Sequence, residues 1–353
     1  FQRGQKTQKI YLGDSKAIEN IGYQIHKRNI TYKRDMKSNS SYELLFNKID
    51  SLVGIDKSLI IYPDGIYNMI NLYALYNENK EKYVFEYRDI RTINDYRNIH
   101  SDSKNFSISQ SDTVNIFSDP DFSINEETEI NNFEIIENSR TFRGGKISSL
   151  PGTIKEALVI EELFTNYGIY VNSYSKSEAT EERIKELYNS NITHIATHGY
   201  YLSKEQFQNL FDINEIGDVN PYLLSGLLMS GAENNISILN VKNNGWLSSL
   251  EIQSCDFRNT KLIVLSACET LIGSTEIGRG VFGLNQALKN AGAQNIISSL
   301  WKVNDESTKD FMINFYNELL KSNDIGTSLK FAMKKTKIKY SHPYYWAPFI
   351  HIE

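Results

Sequence analysis

Two side chains in this sequence have the types and the settings for nucleophilic catalysis. Cys268 comes just after an unbroken apolar run, Leu262 to Leu265, that reads as a fully buried strand. His198 follows a second strand-like segment, ITHIAT at 192–197, and precedes Gly199. In open α/β sheets, catalytic groups collect in the crevice outside the carboxyl ends of the strands. A histidine and a cysteine at two such ends supply base and nucleophile: the imidazole takes or shares the thiol proton, and the thiolate attacks a carbonyl. Gly199 has no side chain, so its N–H can approach a substrate oxygen closely. With the N–H of Cys268 it makes a two-donor oxyanion hole. A core cysteine and a core histidine with no chemistry between them is the plainer alternative, and spacing by itself leaves it open.

Other reactive residues do not assemble into sites. His194 and His198 are four apart, yet HIATH reads as a strand and lacks the glutamate of HExxH, so no zinc site is expected. Gly144, Gly145 and Lys146 lack the earlier glycine and preceding strand of a phosphate loop. Cys255 reads as a small buried residue, and His26, His100, His342 and His351 as structural. Thiol–imidazole chemistry needs no metal or organic cofactor, and none is expected.

The rest of the chain must position these groups. Its 353 residues are 40% hydrophobic and 23% charged with a net charge of -5, an ordinary globular composition. That balance argues against a nucleic-acid surface. Two cysteines make no disulfide framework, which suggests a reducing, cytoplasmic setting. No apolar run is long enough to cross a membrane. The chain begins at Phe1 rather than Met and shows no signal peptide, so an upstream segment is expected to be missing.

Helical patterns occupy 15–29 and 41–53, with strands at 59–62 and 83–87 and a turn at Pro63-Asp64-Gly65. A polar loop at 98–112 leads to a strand at 113–119, and 120–150 is irregular. From 151 onward helices and strands alternate. Helices are predicted at 154–166, 178–189, 248–254, 305–321 and 326–340. Strands are predicted at 169–174, 192–197, 236–240, 262–265 and 294–300, with a last one around Phe349. Such alternation predicts an α/β fold with a mostly parallel sheet covered by helices on both faces.

Seven stretches in order resemble one known family: IIYPDGIYNMINLYAL, SLPGTIKEALVIEELF, THIATHGYYLS, NPYLLSGLLMSGAEN, LIVLSACET, GRGVFGLNQALKNAGAQNIISSLWKVND and HPYYWAPF. The chain is similar, over nearly its whole length, to the CHAT domain, a caspase-like cysteine peptidase module related to caspases and separases. The resemblance implies a caspase-haemoglobinase-like fold, with residues 1–150 a reduced non-catalytic companion and 151–353 the catalytic part. It implies Cys268 as nucleophile and His198 as proton partner of an endopeptidase acting on protein or peptide substrates. It also implies helical repeats upstream or an activating protein, and a cytoplasmic role in bacterial defence or regulated cell death.

The resemblance of SLWKVND to a separase segment makes Asp305 the candidate pocket acid for an Arg or Lys before the scissile bond; alternatively, Asp305 N-caps the helix that follows. Glu269, beside the nucleophile, is a second candidate for that pocket. An aspartate preference would need an arginine-rich pocket, and only Arg279 is near. Self-cleavage after Arg140, Arg143 or Lys146 would follow from a basic specificity. The alternative functions are a non-catalytic interaction module on the same fold and a cysteine acyltransferase using the same dyad.

Overall fold

The computed structural model describes residues 9–37, 41–54, 57–95, 99, 106–123, 142–143, 146–210, 219–233, 243–266, 279–301 and 304–353. Contacts divide the chain into two units: Phe1–Leu59 with Leu72–Ile90, and Ile60–Asn71 with Arg91–Glu353.

The first unit is mainly helical. A π-helical stretch, Ala17–Tyr23, continues as the α-helix Gln24–Thr31, and short helices follow at Ser41–Leu45 and Asn47–Asp50. Its polar centre is the buried pair Arg88 and Asp50, whose side chains meet at 2.6 and 2.8 Å. The remaining Arg88 donors are used by the Gly54 and Lys57 carbonyls, and the second Asp50 oxygen by the Tyr42 and Tyr87 hydroxyls. A buried ion pair is tolerable only with its spare donors and acceptors filled in this way. The strand predicted at 83–87 is shorter than expected. Only Lys82–Tyr83 pairs, with Tyr76–Asn77, before a 3-10 turn at Val84–Glu86. The Glu86 carboxylate accepts the Tyr83 N–H at 2.8 Å and closes that turn.

The second unit holds the main sheet apart from Leu59 and Ile90, the first residues of its two edge-side strands. Its strands in chain order are β1 (Leu59–Ile61), β2 (Ile90–Thr92), β3 (Thr113–Pro120), β4 (Tyr170–Lys176) and β5 (Ile192–Ala196). Next come β6 (Gly199–Tyr201), β7 (Ser225–Leu228) and β8 (Trp246–Ser248), which form a separate antiparallel sheet in that order. The main sheet resumes with β9 (Leu262–Leu265), β10 (Ile296–Ser299) and β11 (Phe349–Ile352). Its order is β1-β2-β11-β10-β9-β5-β3-β4. From β4 to β10 every neighbouring pair is parallel, and β11 joins β10 antiparallel. The α/β expectation of a mostly parallel sheet holds.

Helices cover both faces. On one side lie α1 (Pro151–Asn166) and α3 (Asp305–Ser322), whose Phe164 and Tyr316 rings sit edge to face 5.2 Å apart. On the other side α2 (Arg279–Asn290) packs Leu284, Ala287 and Leu288 against Phe117, Ile195, Ile263 and Leu265. Strand pleating sends alternate residues to opposite faces, so Ile195 joins the α2 core while His194 meets Tyr316 on α3. β9 is buried at every position, and each of its side chains contributes about 1.5–3 kcal/mol by leaving water. α4 (Ile325–Lys339) follows α3 and is capped by Asp324, which accepts the Thr327 N–H at 2.6 Å. The helix expected at 178–189 contracts to Glu181–Lys185, and the strand expected at 236–240 lies outside the described residues.

Candidate active site

β5 and β9 are adjacent and parallel, with Ile192 opposite Leu262 and Ile195 opposite Leu265. The chain leaves β3 toward β4 on one side and returns to β5 on the other, so the carboxyl ends of β3 and β5 flank a topological switch point. His198 stands two residues beyond Ala196, the last residue of β5. There the backbone crosses into the small sheet, its turn fixed by the Leu228 N–H donating to the His198 carbonyl at 2.8 Å.

The His198 side chain is buried, with its ring tilted against Phe122 at 5.5 Å. Nε2 lies 2.8 Å from the Ser148 carbonyl oxygen. A carbonyl only accepts, so Nε2 carries a proton, and in the neutral form of the ring Nδ1 is the basic nitrogen.

Gly199 pairs with Leu227 across β6 and β7. The bond from Leu228 N–H to the His198 carbonyl makes this a non-hydrogen-bonded pair, so the Gly199 N–H points away from β7. β6 is an edge of the small sheet, so that N–H is not used in the ladder.

β9 ends at Leu265, and the next residue, Ser266, is held from two sides. Its N–H donates to the Ile195 carbonyl at 2.9 Å, and its hydroxyl donates to the buried Glu156 carboxylate on α1. The same Glu156 oxygen stands 3.1 Å from His194 Nε2, and His194 Nδ1 is 2.9 Å from the Tyr316 hydroxyl. This places His194 in a buried polar chain rather than beside His198. Cys268 and Glu269 lie outside the described residues.

Asp305 follows β10, the next parallel strand after β9, and so emerges at the same edge of the sheet. It does not cap α3. Asn304, in extended conformation, is the N-cap, its side chain accepting the Ser307 N–H at 3.2 Å. Asp305 occupies the first helical position and is exposed; its carboxylate forms no hydrogen bond or ion pair among the described residues. It packs so closely on Gly152 that a Cβ there would come within 2.3 Å of Asp305 Oδ2. Residues 148–152 therefore touch His198 at one end and Asp305 at the other.

The residues that sequence reasoning missed are Ser148, Asp119, Glu156 and Ser266. Glu156 carried a signal, a carboxylate set among Thr153, Ala157, Ile160 and Phe164 on the buried face of α1. Asp119 carried none: its role depends on contacts with Leu150 and Thr153, more than thirty residues away.

The remaining expected residues place as follows. Cys255 is buried, with Sγ 3.7 Å from the Glu251 carbonyl, and burial pushes its thiol up to about 11. Phe142–Arg143 and Lys146–Ile147 form a two-stranded hairpin just before Ser148, and Arg140 lies outside the described residues. Among the described residues there is no cluster of three His, Cys, Asp or Glu side chains suited to a metal, and no helix long and apolar enough to cross a membrane.

The family described as CHAT domain matches residues 40–353. Among curated proteins, tetratricopeptide repeat protein 28 of Mus musculus is 36% identical over 93 residues, and that of Homo sapiens 36% over 92. Each match spans 26% of this chain and 4% of the relative's length. Among solved structures the chain is similar to the Arg specific cysteine proteinase gingipain R, at 13% identity and a TM-score of 0.45, covering 96% of this chain and 67% of that one. It is also similar to the Saccharomyces cerevisiae separase–securin complex, at 12% identity and a TM-score of 0.38, covering 74% of this chain and 14% of that one.

Proposed function

Since the chain belongs to the CHAT domain family, we propose that it is a cysteine endopeptidase built on the ends of β5 and β9. The supporting observation is the adjacency of those two parallel strands, one followed after two residues by His198 and the other after three by Cys268. In this reading His198 Nδ1 takes the proton of the Cys268 thiol, and the thiolate attacks the scissile carbonyl. The N–H groups of Gly199 and Cys268 receive the charge on the carbonyl oxygen. The imidazolium then protonates the leaving amine, and water, deprotonated by the same ring, releases the acyl-enzyme.

Asp305 binds the side chain of an Arg or Lys before the scissile bond. Its exposed carboxylate beside Gly152, with the capping task left to Asn304, supports that role. Glu269 is the second acid for the same pocket. An upstream repeat region or activating partner completes the proposal, in keeping with the name of the curated relatives, tetratricopeptide repeat protein 28.

The test is hydrolysis of fluorogenic peptides ending in Arg, Lys, Asp, Leu or Asn, with Cys268→Ala and His198→Ala as controls. Cleavage after Arg or Lys that both substitutions abolish is the expected result. Cleavage after another residue removes the role of Asp305, and cleavage that survives Cys268→Ala removes the mechanism.

A further inference from the structure

We propose that Asp119 is a positioning residue for His198, acting through residues 148–153; the catalytic half of this inference rests on the reading of His198 as the proton partner. Asp119 is the penultimate residue of β3, the strand beside β5, and is fully buried. Its φ of +40° lies in the left-handed region, and the register of β3 against β4 shifts between Ser118 and Pro120. Aspartate is among the few residues that tolerate such a backbone, and bulges next to functional sites re-aim side chains. A strained, buried acid that persists in a strand is a reason to look for its use.

Its N–H and both carboxylate oxygens are engaged on two neighbouring segments. Oδ1 accepts the Leu150 N–H at 2.7 Å, and Oδ2 pairs with the half-exposed Lys176 ammonium. The Asp119 N–H donates to Thr153 Oγ1 at 2.9 Å, and that hydroxyl donates to the Leu150 carbonyl at 2.7 Å. Leu150 is thus held at both its N–H and its carbonyl. On the other side of Ser148, the Ile147 N–H donates to the Glu233 carboxylate. Ser148 sits between these two anchors, and its carbonyl receives His198 Nε2–H. Asp119 never touches the imidazole; it fixes the acceptor that decides which imidazole nitrogen carries the proton. A purely structural Asp119 would do no more than steady the first turn of α1.

Asp119→Gly and Asp119→Asn separate the two roles in the full chain. Glycine adopts the positive φ without strain and removes the carboxylate; asparagine tolerates the same φ and keeps an oxygen for the Leu150 N–H. The first readout is the His198 Nε2–H signal in ¹⁵N–¹H spectra, assigned by its disappearance in His198→Gln. Wild type and Asp119→Asn are expected to keep a slowly exchanging signal, and Asp119→Gly to lose it. The second readout is kinetic: Asp119→Gly is expected to lower kcat by about tenfold to a hundredfold with KM nearly unchanged, and Asp119→Asn to recover most of the loss. Thr153→Val removes one arm of the same anchor and is expected to speed exchange of the Nε2–H, which keeps the proposal testable if Asp119→Gly does not fold. Wild-type exchange in both Asp119→Gly and Thr153→Val, or in Thr153→Val alone when the glycine variant is unfolded, overturns it. The spectral change without any cysteine-dependent cleavage, with the activating partner present, keeps the positioning role and removes the peptidase reading.

Discussion

His198 Nε2 and the Ser148 carbonyl oxygen are 2.8 Å apart, a contact that joins the end of β5 to the segment leading into α1. Because a carbonyl has no proton to give, this bond puts a proton on Nε2. Replacing His198 by Gln keeps a hydrogen-bond donor for Ser148 but no titratable base. The expected loss in kcat/KM is about 10²–10⁴-fold, the usual contribution of a placed acid–base group. Steady-state kinetics on the best basic peptide, with a circular-dichroism melt to verify folding, checks it.

Asp305 and Asn304 are neighbours with separable tasks. Asn304 holds the N-terminus of α3, so Asn304→Ala is expected to cost about 1 kcal/mol of stability and leave substrate preference alone. Asp305→Ala should do the reverse. Loss of a charge-assisted hydrogen bond, about 1.5–3 kcal/mol, lowers kcat/KM for Arg peptides about ten- to a hundredfold relative to Leu peptides. Melting temperatures and the peptide panel on the two variants make the comparison; equal preference in wild type and Asp305→Ala removes the pocket assignment.

The contrast between these residues also shows what a sequence can reveal. β5 and β9 were legible because β-branched and aliphatic runs of four or five residues have few other places to go than the middle of a sheet. His198 and Gly199 were legible because they sit at the end of one of them. The alternative role of Asp305, as cap of α3, belongs to its neighbour: Asn and Asp both cap well, and the extended backbone of Asn304 decides between them. The anchors of the site were not legible at all. Ser148 meets His198 across fifty residues and Asp119 meets Leu150 across thirty-one, through main-chain atoms that every residue type possesses. The shortened helix at Glu181–Lys185 has a similar cause. Glu186 turns out of helical geometry, while Glu181 is drawn inward to accept the Gly245 N–H at 2.9 Å.

Truncating Glu156 is expected to destabilise the second unit. Its carboxylate receives the Ser266 hydroxyl and stands beside His194, all three buried. Glu156→Ala leaves the buried Ser266 hydroxyl without its acceptor, and a buried polar group left unsatisfied costs about 1–3 kcal/mol. Glu156→Gln, which keeps an acceptor for Ser266, should cost less than half as much. Urea midpoints of the two variants, followed by tryptophan fluorescence, decide it; equal midpoints would mean that Ser266 finds another partner.

The two cysteines should differ sharply toward alkylation. Burial raises the Cys255 thiol to about 11, ahead of smaller effects from Lys185, Glu251 and Glu181. At pH 8, three units lower, only about one Cys255 in a thousand is thiolate, and the thiolate is the form that reacts. Its labelling rate therefore climbs tenfold per pH unit until the pH passes about 11, and at neutral pH it is negligible in the folded chain. In the proposed reading His198 takes the Cys268 proton, so Cys268 is expected to react near neutrality. Iodoacetamide at pH 7.5 followed by peptide mass mapping is expected to find Cys268 modified and Cys255 untouched, with His198→Gln slowing the reaction. Equal modification of both cysteines at pH 7.5 would break the link between His198 and the thiol on which the proposed chemistry depends.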